Sequence, residues 1–526
     1  MSLEANLDVA QLEAEFRSIL ISQSSPISVD LLFDSTYTTY DATVGFEFHE
    51  EDFANFKLMS DECVHKLRNI AQRMIPAGTL SQGVEIYKSV RRPFIHSILQ
   101  GSGTDKLSIN EIRSKKSEWV AVEAKIRLWI RVANVCFKVL FVREKRVCVQ
   151  IFDENVGNDV FVKTVKDPAL ELINFAEAIS TSRRSQERLF LVLDLYKVLF
   201  DVLADLERMF EFTLSELVRV RANDTLAKLA DMVRGILEEF ENAVLGEVLQ
   251  HPDPRGDLQG STIKVMTYMK TMGSYEQTLV RLIICKPSID PSYNGDLTSL
   301  RMEFAELDAQ PPLAIHLRWI IAVHLFNLKG KSKQYEDVAL AHLYMMNNVH
   351  YIVQKIVGSE ELTKIIGHGY VTKLAIRVQE EAYEYQRPTW EKILHCLGNE
   401  GPRVDKISFS GVSKYALRQK IRSFNAMFEE VHRTHGTWIV RDSQLRDGLR
   451  ISFLEKLIMA YKFLLAPFES FIDSEKHSEA IVKYSAGDLE IAVEVEMAKM
   501  EFVARNKWWK IDVDMVAAEP VDYLNN

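Results

Sequence analysis

The sequence predicts an all-α fold built from helical bundles. Apolar residues recur at steps of three and four through most of the chain. Glycine (22) and proline (14) are few for 526 residues, whereas an all-β chain needs many turn residues. Sustained alternation is missing, and Val147–Phe152 and Asp159–Val165 are the best short strand candidates.

Taken in order, the first strong pattern covers Asp61–Ile75 and the next Glu118–Phe141. In Glu187–Phe210, residues such as Leu189, Val192, Tyr196, Leu199 and Leu203 fill more than one stripe, which predicts a helix with neighbours on two sides. Asp224–Gln250 carries one stripe, through Leu229, Val233, Ile236, Phe240 and Val244. Ile263–Leu282, Tyr335–Val357, Ser413–Val431 and Gln444–Leu465 read the same way. Loops are expected at Gln100–Thr104, Asp153–Asp159, His251–Gly260 (HPDPRGDLQG), Lys286–Leu297 and Gly398–Gly411. HPDPRGDLQG is the clearest break and is expected to separate two halves. No fixed-period repeat points to a regular solenoid. The expected division is a leader with a first helix (1–45), the first bundles (46–250), a middle bundle (262–400), a C-terminal bundle with a basic face (401–500) and a tail (501–526).

Net charge is −10, from 74 acidic and 64 basic residues, which opposes general nucleic-acid binding. The average hides a division: residues 1–402 carry −9, residues 403–463 carry +6 and residues 464–526 carry −7. Five isolated cysteines (Cys63, Cys136, Cys148, Cys285, Cys396) form neither a disulfide framework nor a zinc motif. They fit a reducing compartment. The acidic N-terminus lacks signal-peptide character. The most apolar run, Leu313–Leu328, is interrupted by His316, Arg318 and His324, so no transmembrane span is expected. A soluble, intracellular protein follows.

The chain lacks the P-loop, nucleophile-elbow and zinc-protease motifs. Gly330-Lys331-Ser332 reads as a polar turn between helices, and Gly367-His368-Gly369 lacks the third glycine of a dinucleotide fingerprint. His316/His324 and His342/His350 are eight residues apart, about 12 Å of axial rise, too far to share one metal. His432 and His435 have ligand spacing but no evident third ligand. Met345, Met346, Tyr344 and Tyr351 read as core, and Glu380-Glu381 and Glu429-Glu430 as solvated helix faces. No catalytic residue, metal or cofactor is expected, and the chain is not read as an enzyme.

One constellation stands out. Residues 403–462 hold twelve Lys/Arg against six Asp/Glu. Lys414, Arg418 and Arg422 recur every four residues and form a basic row beside the apolar stripe Leu417, Ile421, Phe424, Phe428. Lys420 lies on the other flank of the stripe, and Arg446 and Arg450 pair likewise on the next helix. The row is either a solvated face with ion pairs to residues such as Glu429 and Asp447, or a contact for an anionic membrane. At about 1 kcal/mol per basic residue, such a contact supplies roughly 4–5 kcal/mol at most.

The order of segments resembles the seventy-kilodalton subunit family of the exocyst, the complex that tethers secretory vesicles to the plasma membrane. The resemblance rests on LRNIAQRMIPAG (Leu67–Gly78), YKSVRR (Tyr87–Arg92), EKRVCVQIF (Glu144–Phe152), LINFAEAISTSRRSQERLFLVLDLYKVL (Leu172–Leu199) and VMTYMKTMGSYEQTL (Val265–Leu279). It continues through YEDVALAHLYMMNNVHYIVQKI (Tyr335–Ile356), EEAYEYQRPTWEKIL (Glu380–Leu394), RISFLEKLIMAYKFLLAPF (Arg450–Phe468) and VKYSAGDLE (Val482–Glu490). The wording is most similar to land-plant members. The resemblance implies an elongated rod of stacked antiparallel helical bundles and a non-enzymatic role in exocytosis. The implied partners are other exocyst subunits, small GTPases and a phosphoinositide membrane, with the protein cytoplasmic and peripheral at the plasma membrane. The family's lipid contacts map onto RQKIRSFN (Arg418–Asn425) and AIVKY (Ala480–Tyr484), where Ala480 replaces the first lysine of the second motif. The implied phosphoinositide-binding residues are thus Lys414, Arg418, Lys420, Arg422 and Lys483. QLEAEF (Gln11–Phe16) matches a position well inside the family, so the family's N-terminal assembly region is expected to be missing. That leaves a second expectation: an interaction adaptor outside the exocyst, for example a plant immunity component met by pathogen effectors or immune receptors. Glu501–Asn526, with Trp508 and Trp509, leaves the family pattern.

Overall fold

The computed structural model describes residues 3–24, 38–41, 45–48, 53, 56–101, 119–209, 216–246, 251–283, 311–397, 414–472 and 482–495. The fold is all-α. Among the described residues the only strands are β1 (Thr38–Asp41) and β2 (Gly45–Phe48), an antiparallel pair with Thr38 opposite Phe48. At four residues each, they are too short to stand out as alternation in the sequence. The chain groups into two compact units, Met1–Asn242 with Ser274–Cys285, and Ala243–Gly273 with Lys286–Asn526. The expected loops Lys286–Leu297 and Gly398–Gly411 and the tail 501–526 lie outside the described residues.

In the first unit, α1 (Leu3–Ser22) buries Leu12, Phe16 and Leu20 at steps of four. The α2 helix (Asp61–Met74) starts where the Ser60 hydroxyl accepts from Cys63 N at 3.3 Å, with Asp61 and Glu62 in the first turn. Helix α3 (Leu80–Gly101) follows. Then α4 (Trp119–Asn134), a π-helical turn (Val135–Leu140) and α5 (Phe141–Ser180) run on continuously. Trp129, fully buried, donates from Nε1 to Leu172 O at 2.8 Å and ties α4 to α5.

Helix α5 corrects three expectations. Val147–Phe152 and Asp159–Val165 are helical rather than strands, and the expected loop Asp153–Asp159 shrinks to a sharp break at Asp153 between two helical stretches. The buried set Val147, Cys148, Ile151, Phe152, Val160, Phe161, Thr164, Val165 recurs at helical steps; local β-branched runs obscure that period in the sequence. Only Asp153 leaves helical geometry, with φ 64°. A Cβ on Gly157 would lie 2.6 Å from the Cys148 carbonyl oxygen, so the chain turns sharply at Asp153 and only glycine fits at 157. Nine residues along a straight helix would span about 13 Å.

A charged cluster sits inside this unit. Arg91 on α3 and Glu144 on α5 are both fully buried and paired twice, at 2.6 and 3.1 Å. Tyr87 donates to the same carboxylate at 2.8 Å, and the Cys148 thiol donates to the Tyr87 oxygen at 3.4 Å. Burial holds both the Cys148 thiol and the Tyr87 phenol well above their usual values. Helix α6 (Leu189–Met209) carries a second buried acid, Asp194. Helix α7 (Glu216–Gly246) docks through Lys228 on Glu177 at 2.5 Å. The expected single helix Ile263–Leu282 breaks into α8 (Gly260–Ser274) and α9 (Glu276–Leu282). At the break Tyr275 stacks on Phe190 (5.7 Å) and donates to Asp194 at 2.8 Å, which returns residues 274–285 to the first unit.

In the second unit, α10 (Pro312–Ser332) is buried on all sides, as expected of a central helix. The residues that interrupt its apolar run are buried with it. His324 shares a hydrogen bond with the Thr262 hydroxyl at 2.9 Å, and Arg318 Nε donates to Ile366 O at 2.8 Å. Gly330-Lys331-Ser332 is not a polar turn but the last turn of α10, and Lys331 is 1% exposed. The turn comes one residue later. Helix α11 (Val338–Val357) is capped by Asp337, which accepts from Ala339 N and Leu340 N, and α12 (Glu360–Ile366) by Ser359. Helix α13 (His368–Leu397) packs along α11. There Glu381 is buried and bonded to His342 at 2.7 Å, so it is not on a solvated face. Helices α14 (Lys414–His435) and α15 (Ser443–Ile472) and a helical stretch over 486–495 complete the unit.

The HPDPRGDLQG loop lies within this unit and is densely bonded. Arg441 clasps Asp257 through two bonds of 2.5 and 2.6 Å. Asn347 on α11 donates to Gly256 O (2.8 Å) and Ile439 O (2.7 Å), and Ile439 N donates to Arg255 O (3.0 Å). Asn348 accepts from Gln259 N and from the Thr262 hydroxyl. Gly256, at φ 72°, sits where a Cβ would strike Leu340.

Two outcomes follow from these buried groups. Asp257→Ala strands Arg441 in a part-buried site, and equilibrium denaturation is expected to show a loss of about 2–4 kcal/mol, near the lower range for broken buried pairs. Burial, partly offset by the Tyr275 hydrogen bond, raises the Asp194 carboxyl to about 6 from 3.8. The folded state therefore binds this proton more tightly than the unfolded chain. Its stabilising contribution is full below pH 4 and is lost as pH rises through 6, by about 3 kcal/mol. Asp194→Asn removes that dependence, so the stability of the variant relative to the parent rises between pH 4 and pH 7.

Candidate anionic-surface site

The basic row lies on α14, beside a stripe that is anchored in the core. Ile421 and Phe424 are fully buried and Phe428 is 2% exposed. Phe424 packs on Tyr461 of α15 at 4.8 Å, and Phe428 meets Tyr484 edge-on at 5.6 Å. Burying three such side chains contributes roughly 5–9 kcal/mol, which fixes the rotation of the helix and thereby the direction of the row.

Lys414 is the first residue of α14, Arg418 is half-buried and Arg422 exposed. Four-residue steps advance about 40° and 6 Å, so the three belong to one face. Lys420 is exposed but lies about 160° around the helix from Arg418 and Arg422, on the flank where its carbonyl accepts from the Cys396 thiol at 3.6 Å. Lys483 comes from the segment after α15. Its ammonium pairs with Glu429 at 2.6 Å, and Tyr484 donates to the same oxygen at 3.1 Å. The Lys483 hydrogen bond holds Glu429 below the usual carboxylate value, and Glu429 in turn raises Lys483. Glu429 is seven residues beyond Arg422, two turns along the same face at about 10 Å. The structure therefore brings Arg418, Arg422 and Lys483 to one side, leaves Lys420 on another, and presents Lys483 already neutralised.

The pin at Lys483 was only half visible in sequence. Tyr461 donates to Tyr484 O at 2.7 Å, and Ser485 and Asp488 bond reciprocally (2.8 and 3.1 Å), a capping box that starts the 486–495 helix. The S-x-x-D pattern was the available signal. Ala480 lies outside the described residues.

Arg446 and Arg450 do not extend the basic face. Arg446 is 6% exposed and donates to Val440 O at 3.1 Å, and Arg450 pairs with Glu494 at 2.8 Å. His435 is buried against Tyr385 (3.1 Å) and Trp438 (rings 4.0 Å apart), and burial pushes it down to about 3. No cluster of three metal-ligating side chains occurs among the described residues. A cavity of about 660 Å³ opens between α11, α13 and α14. Of its titratable groups, Asp337 caps α11, Glu430 pairs with Arg433 and His435 bonds Tyr385, while Lys392 is exposed at its rim. No helix of the described residues is long and apolar enough to cross a membrane.

Residues 127–494 match the family model for the C-terminal part of the Exo70 exocyst complex subunit. The chain is 30% identical over 502 residues to the exocyst complex component EXO70A1 of Arabidopsis thaliana, covering 91% of this chain and 76% of that one. It is 31% identical over 434 residues to EXO70B1 of the same plant, covering 82% and 66%. Among solved structures, Exo70 of S. cerevisiae aligns over 94% of this chain and 87% of its own, with a TM-score of 0.55 and 13% identity, which marks a shared fold.

Proposed function

The chain belongs to the Exo70 family of exocyst subunits, and from this premise we propose that it is a non-enzymatic tethering subunit in exocytosis. In this reading it holds an anionic phosphoinositide membrane through the Arg418–Arg422 face of α14. Other exocyst subunits are its assembly partners, and small GTPases its regulators. The observation that carries the membrane part is the row on α14 whose direction is fixed by the core-anchored stripe beside it.

The magnitudes limit how this contact works. Lys414, Arg418 and Arg422 supply roughly 3 kcal/mol near an anionic surface. Alone that corresponds to a dissociation constant weaker than about 1 mM. Stable residence at a membrane then requires assembly with other membrane-binding chains, where linkage multiplies weak contacts. Glu429 lowers the site's charge further by occupying Lys483.

Sedimentation with phosphoinositide-containing liposomes tests this reading. Arg418→Ala with Arg422→Ala is expected to lower binding about tenfold or more, by roughly 2 kcal/mol. Lys420→Ala, on the other flank, is expected to cost less, and Glu429→Ala to strengthen binding by releasing Lys483. Equal binding by the double variant and the parent would refute the assignment. The tethering role predicts that other exocyst subunits co-purify with the natural full-length product. Their absence would favour the adaptor role outside the complex, with pathogen effectors or immune receptors as partners.

A further inference from the structure

The outer face of α15 carries an apolar arc with charges at its centre. Ile451, Glu455, Met459, Lys462 and Ala466 are all exposed, with Met459 at 72% and Ile451 at 54%. At 100° per residue they fall within about 80° of arc. Phe453, Leu457 and Tyr461, on the opposite side, are buried in the core. Neither Glu455 nor Lys462 has an ion-pair partner among the described residues. Seven residues, about 10 Å, separate them, too far to pair with each other on one helix.

The spacing of this face is self-complementary. Ile451 and Ala466 are equidistant from a point between Ile458 and Met459, and so are Glu455 and Lys462. From this palindrome we propose that α15 is a self-association surface, on which a second copy of this chain packs antiparallel about a twofold axis beside Met459. Under that axis Glu455 lies opposite Lys462 of the partner subunit, and the pair occurs twice. Ile451 lies opposite Ala466 of the partner subunit, where the small side chain admits close approach. Met459 packs near its own symmetry mate.

The same charges argue against two other occupants. A bilayer would have to accept the Glu455 carboxylate in the middle of the apolar arc, which is costly in hydrocarbon. An unrelated helix would have to supply a cation and an anion at the matching spacing, whereas the second copy supplies both by symmetry. A single helix face is smaller than the roughly 800 Å² per partner of a standard interface. The dimer is therefore weak in solution and is favoured where chains are concentrated side by side.

Sedimentation velocity over a concentration series, on the whole chain, tests this. The parent is expected to dimerise with a dissociation constant of about 0.1–1 mM. Glu455→Lys or Lys462→Glu alone places like charges in opposition, and each is expected to weaken the dimer about tenfold or more. The combined Glu455→Lys, Lys462→Glu chain restores it, because the reversed pairs again match across the axis. Met459→Asp, at the axis, abolishes it. All three positions are exposed, and unchanged thermal unfolding confirms that each variant folds. A parent chain monomeric to about 1 mM overturns the proposal, as does a double reversal no better than either single. Liposome binding lost in Met459→Asp, with no dimer in the parent, would assign the face to lipid and overturn it equally.

Discussion

The second unit depends on how one loop satisfies its backbone. Residues 251–259 enter a packed interior without regular secondary structure, so their peptide groups need partners from elsewhere. Several side chains share this, Asn348 and Tyr335 among them, and one of them also ties the loop to a second element. The Asn347 amide donates to Gly256 O and Ile439 O together, joining the loop to the turn between α14 and α15. The backbone bond from Ile439 to Arg255 and the Arg441–Asp257 clasp add to the same seam. The turn sets where α14 ends and α15 begins. The end of α14 and the start of α15 at this turn are thus tied to α11, while the buried stripe of α14 fixes which way its basic face points.

Much of the fold was legible because helical period and core burial report the same physics. Ile421, Phe424 and Phe428 were readable as a stripe, and all three are buried. The failures have a common cause. Where β-branched residues crowd locally, as at Val147 and Val160–Val162, neighbours of similar hydropathy hide a period of three to four. Where a polar residue is buried, as at Lys331, Glu381 and Arg446, its surroundings are set by the tertiary fold. His342 lies 39 residues from Glu381, and no local pattern announces the pair. The break at Tyr275 is of the same kind, since Asp194 is 81 residues away.

The candidate site was legible in composition and less so in arrangement. The excess of twelve basic over six acidic residues is real in sequence, but folding spends much of it internally. Arg441 is clasped by Asp257, Arg446 bonds a carbonyl and Arg450 meets Glu494. Lys483, distant in sequence from α14, is carried to its face by Glu429. Formal charge along a chain measures what is available; the three-dimensional partners decide how much of it a membrane could meet. The same distinction separates Lys420 from Arg418 and Arg422, two residues away in sequence and nearly half a turn away in space.

The return of residues 274–285 to the first unit has a bearing on synthesis. A ribosome delivers the chain from the N-terminus, at about 5–20 residues per second. When Asn242 has emerged, α6 already exists, but the tyrosine that bonds Asp194 and covers Phe190 does not. The intervening stretch Ala243–Gly273 must be made first, although it belongs to the other unit. The nascent first unit therefore waits seconds with an acidic, aromatic-lined gap on α6, and its completion is tied to the arrival of the other unit's opening segment.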